Sequence, residues 1–175
     1  MTQTNGSIED ELTRRHRSAA MIVNAMMLLT LLLVGISFVA RNYLSRPGDP
    51  VLVKLLWILI LLFGLGAFPL RRTRFNAMRL QDVAALRGIP GLLASLQGTT
   101  IQLAFLGGAI ALMGFILSMM TTAPGELPLD MLRAAGVALI VLLYCYPRKS
   151  AWQRVVQGIE QTGEADATAV KGKIA

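Results

Sequence analysis

An all-helical polytopic membrane protein with four transmembrane helices is the fold that the sequence predicts. Three observations carry the prediction. The chain is 54% hydrophobic and only 15% charged over 175 residues, and a soluble domain of that size has too much surface for its volume to hide so much apolar area. The apolar residues collect in four long runs, as lipid requires and a water-excluding core does not. The basic residues sit at the ends of those runs, where membrane topology signals lie.

Residues 1–17 are polar and form an N-terminal segment. Ser7, followed by Glu9, Asp10 and Glu11, reads as a helix start, with acids favoured by the positive end of the helix dipole. Arg14, Arg15, His16 and Arg17 form a basic collar before the first span, 18–40, whose 23 residues reach about 35 Å as a helix. That run is too long for the apolar part of a cleavable leader, so none is expected.

Arg46-Pro47-Gly48-Asp49-Pro50 is a turn that no helix crosses unbroken. The second span, 51–70, contains one charge, Lys54, close enough to its end for the ammonium to snorkel to the headgroups. Residues 71–97 are expected to form an amphipathic segment, with Phe75, Met78, Val83 and Leu86 recurring at near-helical spacing among arginines. Gly88-Ile89-Pro90-Gly91 is expected to end that surface helix.

The third span is placed at 101–120, starting up to a turn earlier, and a second turn follows with Pro124, Gly125 and Pro128. The fourth span, 129–146, is long enough only if Asp130 and Arg133 are admitted at its edge, where their spacing of three lets them pair. Residues 147–175 comprise a short helix carrying Trp152, Val155, Val156 and Ile159, then a small, polar tail from Thr162 expected to be disordered.

Of the 17 lysines and arginines, thirteen fall on the side holding both termini and the 71–97 segment, and four on the other. The positive-inside bias therefore puts both termini in the cytoplasm, and a bacterial inner (plasma) membrane is the expected location. The architecture is then two transmembrane hairpins, each followed by a cytoplasmic surface helix. A duplication is one account of it: Arg71-Arg72-Thr73-Arg74-Phe75-Asn76 resembles Arg148-Lys149-Ser150-Ala151-Trp152-Gln153 in kind, and Lys54 and Gly35 correspond to Arg133 and Gly114 at nearly the same offset. The plainer account is that helices leaving the cytoplasmic face tend to end in basic and aromatic residues.

The most pointed pattern lies in the third span. Ala104, Gly107, Gly108, Ala111, Gly114 and Ser118 form a small-residue stripe, answered by Ala134, Ala135, Gly136 and Ala138 in the fourth span. Such a stripe lets helix backbones approach closely in lipid. Packing within the monomer is the plainer reading, and a subunit interface or the lining of a ring is the sharper one. Overfilling Gly108 with leucine is expected to disrupt it.

The interiors of all four spans lack an ionisable residue, which argues against a proton-coupled carrier or a rotary-ring subunit. Asn24 and Gln102 are the candidates for interhelical polar contacts or for a pore, with Thr30, Ser37 and Ser118 as further lining residues. Arg71, Arg72, Arg74, Arg148, Lys149 and Trp152 are candidates to touch anionic lipid headgroups or a partner at the cytoplasmic face.

No catalytic, cofactor or metal site is expected. The lone histidine, His16, excludes bis-histidine haem ligation within one chain, and the lone cysteine, Cys145, excludes an intramolecular disulfide. Cys145 could carry an acyl group, although a buried packing thiol is the default. Gly107-Gly108 lacks the lysine and hydroxyl pair of a phosphate loop, and no serine or threonine has a histidine base at a matching depth. The net charge of +7 is spread as topology signals rather than as a nucleic-acid surface.

A non-catalytic membrane subunit that packs within or scaffolds a larger assembly is therefore the expected function. The alternative is a homo-oligomeric channel or small transporter whose pore forms between copies. The expected partners are the bilayer, with its anionic headgroups, and other membrane subunits or copies of the chain.

Overall fold

The computed structural model describes residues 2–44, 48–122 and 126–158, and all its regular structure is helical. Four helices are long and apolar enough to cross a membrane. The helices are α1 (Thr2–Leu44), α2 (Pro50–Arg74), α3 (Ala77–Thr121) and α4 (Leu129–Tyr144), and the fourth membrane-length stretch, Leu129–Gly158, takes in α4 and the segment after it. A further helical segment covers 149–158. The turn residues Arg46, Pro47, Pro124 and Gly125, together with Ile159 and the tail from Thr162, lie outside the described residues.

Local chemistry explains several boundaries. Asp49 caps α2, its Oδ1 accepting from Val51 N–H at 2.9 Å, and Pro50 fills the first helical position. α1 begins at Thr2, ahead of the start expected at Ser7, and nothing before Ser7 is a proline that would prevent it. Gly88 breaks α3 with φ 67° and ψ −176°, a left-handed φ that favours glycine. The chain re-enters a helix at once, however, so the helix holding the third span starts well before Ile101. α4 has 16 residues, about 24 Å, and the expected pair at its start forms, with Arg133 Nη1 3.6 Å from Asp130 Oδ1.

α3 is the centre of the bundle and packs on α1, α2 and α4. The Cα atoms of α1 and α2, consecutive in the chain, nowhere approach within 8 Å. The two successive helix pairs are therefore unlike, since α3 and α4 pack directly. The supposed repeat partners also differ in surroundings. A Cβ added at Gly35 would meet nothing within 4 Å, whereas one at Gly114 would overlap Ala134.

Two kinds of core result. The larger lies among the spans and gathers Leu33, Ile60, Leu103, Ile110, Leu117, Met131 and Val141. At the other end of α3, Leu12, Ala19, Leu80, Leu92, Leu93, Leu96, Trp152 and Val156 form a separate core. This is the basic end of the molecule, and there the start of α1, the first half of α3 and the 149–158 segment meet. At the opposite end Gly48, just before α2, meets the last turn of α3, its N–H donating to Met120 O at 3.1 Å.

Candidate functional site

All six stripe residues are buried within the monomer. A Cβ on Gly107 would sit 2.8 Å from Leu142 of α4, and one on Gly108 would sit 2.8 Å from the Met26 sulfur of α1. Gly114 lies against Ala134 and Met131. The glycines let α3 receive α1 on one side and α4 on the other, so intramolecular neighbours already occupy the stripe. Ser118 shares a hydroxyl–hydroxyl hydrogen bond of 3.2 Å with Thr122.

The other polar residues of the spans separate into two groups. Thr30 and Ser37 are buried, and each donates to a carbonyl of its own helix, Met26 O at 2.9 Å and Val34 O at 2.7 Å. Their hydroxyls are thus satisfied locally. Asn24 and Gln102 instead face outward and make no hydrogen bond to any described residue. Among the described residues, Asn24 and Gln102 face outward while Thr30, Ser37 and Ser118 are buried, so the five do not share one face.

The chemically richest region is the basic end. Arg71, in the last turn of α2, donates to Tyr144 O at the C-terminus of α4. Its guanidinium lies 4.2 Å from the Tyr144 ring centroid and 5.8 Å from that of Phe75. Phe68 packs on Tyr144 at 4.7 Å. A helix C-terminus leaves carbonyls without partners and carries partial negative charge. Arg71 answers both needs from a neighbouring helix, while its stacking covers the exposed aromatic faces. Replacing it with methionine keeps length and removes charge and donor. We expect Arg71→Met to lower stability by about 1–2 kcal/mol, read as a lower midpoint in detergent unfolding, with Arg72→Met, whose side chain is exposed, as the unaffected control.

His16 joins the terminal segments. Its Nε2 donates to Pro147 O at 2.9 Å, and its ring stands edge-on to Trp152 with centroids 5.7 Å apart. A carbonyl can only accept, so the proton is on Nε2. Two salt bridges tie Glu11 to Arg14 and Arg15, and the Arg15 hydrogen bond, with Arg14 beside it, holds the Glu11 carboxyl below its usual range. Trp152 is buried at the centre of this end, while Arg72, Arg148 and Lys149 are exposed and Arg74 is partly covered. Of the candidate headgroup or partner contacts, Trp152 and Arg71 are engaged within the fold, while Arg72, Arg148 and Lys149 face outward.

Two small spaces open here. One of about 90 Å³ is lined by Arg71, Phe75, Leu96, Thr100, Cys145 and Trp152, among others. Cys145 is buried beside it. A cleft of about 270 Å³ lies between Ile8 and Leu12 on α1 and Gln153 and Val156 on the terminal segment. Among the described residues, no group of three histidine, cysteine or carboxylate side chains could hold a metal ion.

Residues 77–87 turn two different faces inward and outward. Leu80 is buried, whereas Met78 and Leu86 are 75% and 85% exposed. The missed signal was the i, i+4 pair Ile8 and Leu12 together with Leu92, Leu93 and Leu96, an apolar set outside the assigned spans. The chain matches no protein-family model, no curated protein and no solved structure.

Proposed function

We propose that the chain is a non-catalytic membrane subunit that packs within or scaffolds a larger membrane-protein assembly, with both termini in the cytoplasm of a bacterial cell. The observation that carries this reading is the outer face of residues 77–87. Leu80 anchors that helix to a folded platform, and Met78 and Leu86 project from it with Arg87 alongside. Large apolar side chains held outward on a rigid element, with charge at their rim, suit a protein–protein contact. On this reading the surface helices expected from sequence are one platform, and the two-hairpin description applies to the path of the chain rather than to its packing.

The reading also draws on the bundle interior. The stripe is filled by α1 and α4, so partners would meet α2 or the platform instead. A homo-oligomeric channel or small transporter has in its favour only the two outward amides, Asn24 and Gln102. Its other lining candidates bond within the monomer.

Photo-crosslinking residues placed at 78 and 86, followed by mild-detergent purification and mass spectrometry, test the proposal. We expect both positions to capture the same heterologous membrane protein, and a residue at 28, on the outer face of α1, not to capture it. A symmetric ring of this chain alone, with a continuous water path, would overturn the reading in favour of the channel.

A further inference from the structure

We infer that the outward face of α1 is a binding site for one anionic glycerophospholipid. Asp10, Arg14, Arg17, Met21, Asn24, Leu28, Leu31 and Gly35 follow one another in alternating steps of four and three, which places them along one helix face. All are exposed. A cleft of about 460 Å³ runs beside Arg14, Arg17, Ser18 and Met21. Farther along, an apolar groove of about 530 Å³ passes over Gly35 between Leu28, Leu31, Leu32 and Val39.

The order of chemistry along this face is that of a lipid. Arg17 has no ion-pair partner among the described residues, and together with the donors that Arg14 does not spend on Glu11 it offers guanidinium N–H groups to a phosphate. Asp10, farthest from the apolar end, can accept from headgroup hydroxyls. Asn24 lies about 10 Å along the helix from Arg17. The interfacial layer on each side of the hydrocarbon is about 5–8 Å thick, so Asn24 lies just past its inner edge, where its otherwise unused N–H groups can reach back to ester carbonyls. The groove at Gly35 then receives an acyl chain.

Charge decides between this occupant and a second copy of the chain. A parallel α1–α1 contact along this face would set Arg17 against Arg17 and Arg14 against Arg14. Like-charge juxtaposition opposes that contact, whereas a phosphate satisfies the same groups. The inference requires a membrane-embedded chain but no partner protein, so it stands or falls separately from the scaffold reading.

Native mass spectrometry of the purified chain, released from nanodiscs of phosphatidylcholine mixed with phosphatidylglycerol, tests it. We expect phosphatidylglycerol to be retained preferentially. Arg17→Gln should weaken that retention about fivefold and leave phosphatidylcholine unchanged, and Arg17→Lys should restore most of it. Gly35→Leu should reduce retention of phosphatidylglycerol by filling the groove, at little cost to folding because an added Cβ there meets nothing within 4 Å. Equal retention of the two lipids, or no response to Arg17→Gln in protein of unchanged melting temperature, overturns the inference. So does efficient disulfide crosslinking between copies carrying Asn24→Cys in a Cys145→Ser background.

Discussion

Gly114→Ala is expected to destabilise the bundle by about 1–3 kcal/mol, read as the shift in unfolding free energy during titration with a denaturing detergent. The added Cβ would overlap that of Ala134, with the Met131 sulfur behind it at 3.7 Å. Ala134 has no χ angle by which to move aside, so α3 and α4 must separate. In lipid, helices are held by close packing and not by exclusion of water, and separation therefore forfeits dispersion contacts that nothing replaces. Gly108 is the instructive contrast. Its neighbour is the flexible thioether of Met26, so Gly108→Ala is expected to cost well under 1 kcal/mol. Alanine at Gly108 is thus a milder probe than alanine at Gly114. Gly35→Ala and Gly66→Ala, which meet nothing within 4 Å, serve as controls.

Trp152→Ala should have the other large effect, about 3–5 kcal/mol, confined to the basic end. Trp152 is 3% exposed and closes a core built from three distant stretches of the chain. It also supplies the ring against which His16 rests. Truncating the largest side chain of that core removes apolar burial and packing together. Hydrogen exchange should rise over 8–19, 92–96 and 149–156, while exchange in the spans stays low. Uniform protection across the whole chain would show that the terminal segments are held by something other than this core.

The spans were legible because lipid imposes a length and a composition. The runs at 18–40, 51–70 and 101–120 each coincide with part of a helix, and Asp49-Pro50 announces the start of α2 by its own chemistry. The platform was harder to read. Its core draws Leu12, Leu80, Leu96 and Trp152 from segments widely separated in sequence, and no local period records which of them meet. Met78 and Leu86 share the helical spacing of buried residues, yet Leu80 is the one covered, because its partners on α1 and the terminal segment fix the rotation of the helix. Gly35 and Gly114 show the same limit for pairs: similar in sequence setting, they have different neighbours once α3 occupies the centre. Arg71 was legible as a basic residue at a helix end, but its bond to Tyr144 O depends on α2 ending beside α4, which only the packing reveals.

The proposed topology has four crossings that leave both ends of the chain on one side. Single cysteines in a Cys145→Ser background, at Glu9 and Gln157 on the basic end and at Tyr43 and Leu127 on the other, measure this directly through labelling by a membrane-impermeant thiol reagent. All four native side chains are exposed. The account predicts that Tyr43→Cys and Leu127→Cys label from outside intact cells, and that Glu9→Cys and Gln157→Cys label only after the membrane is opened. Equal labelling of Leu127→Cys and Gln157→Cys would contradict the fourth crossing, and the reverse pattern would contradict the cytoplasmic placement of the termini.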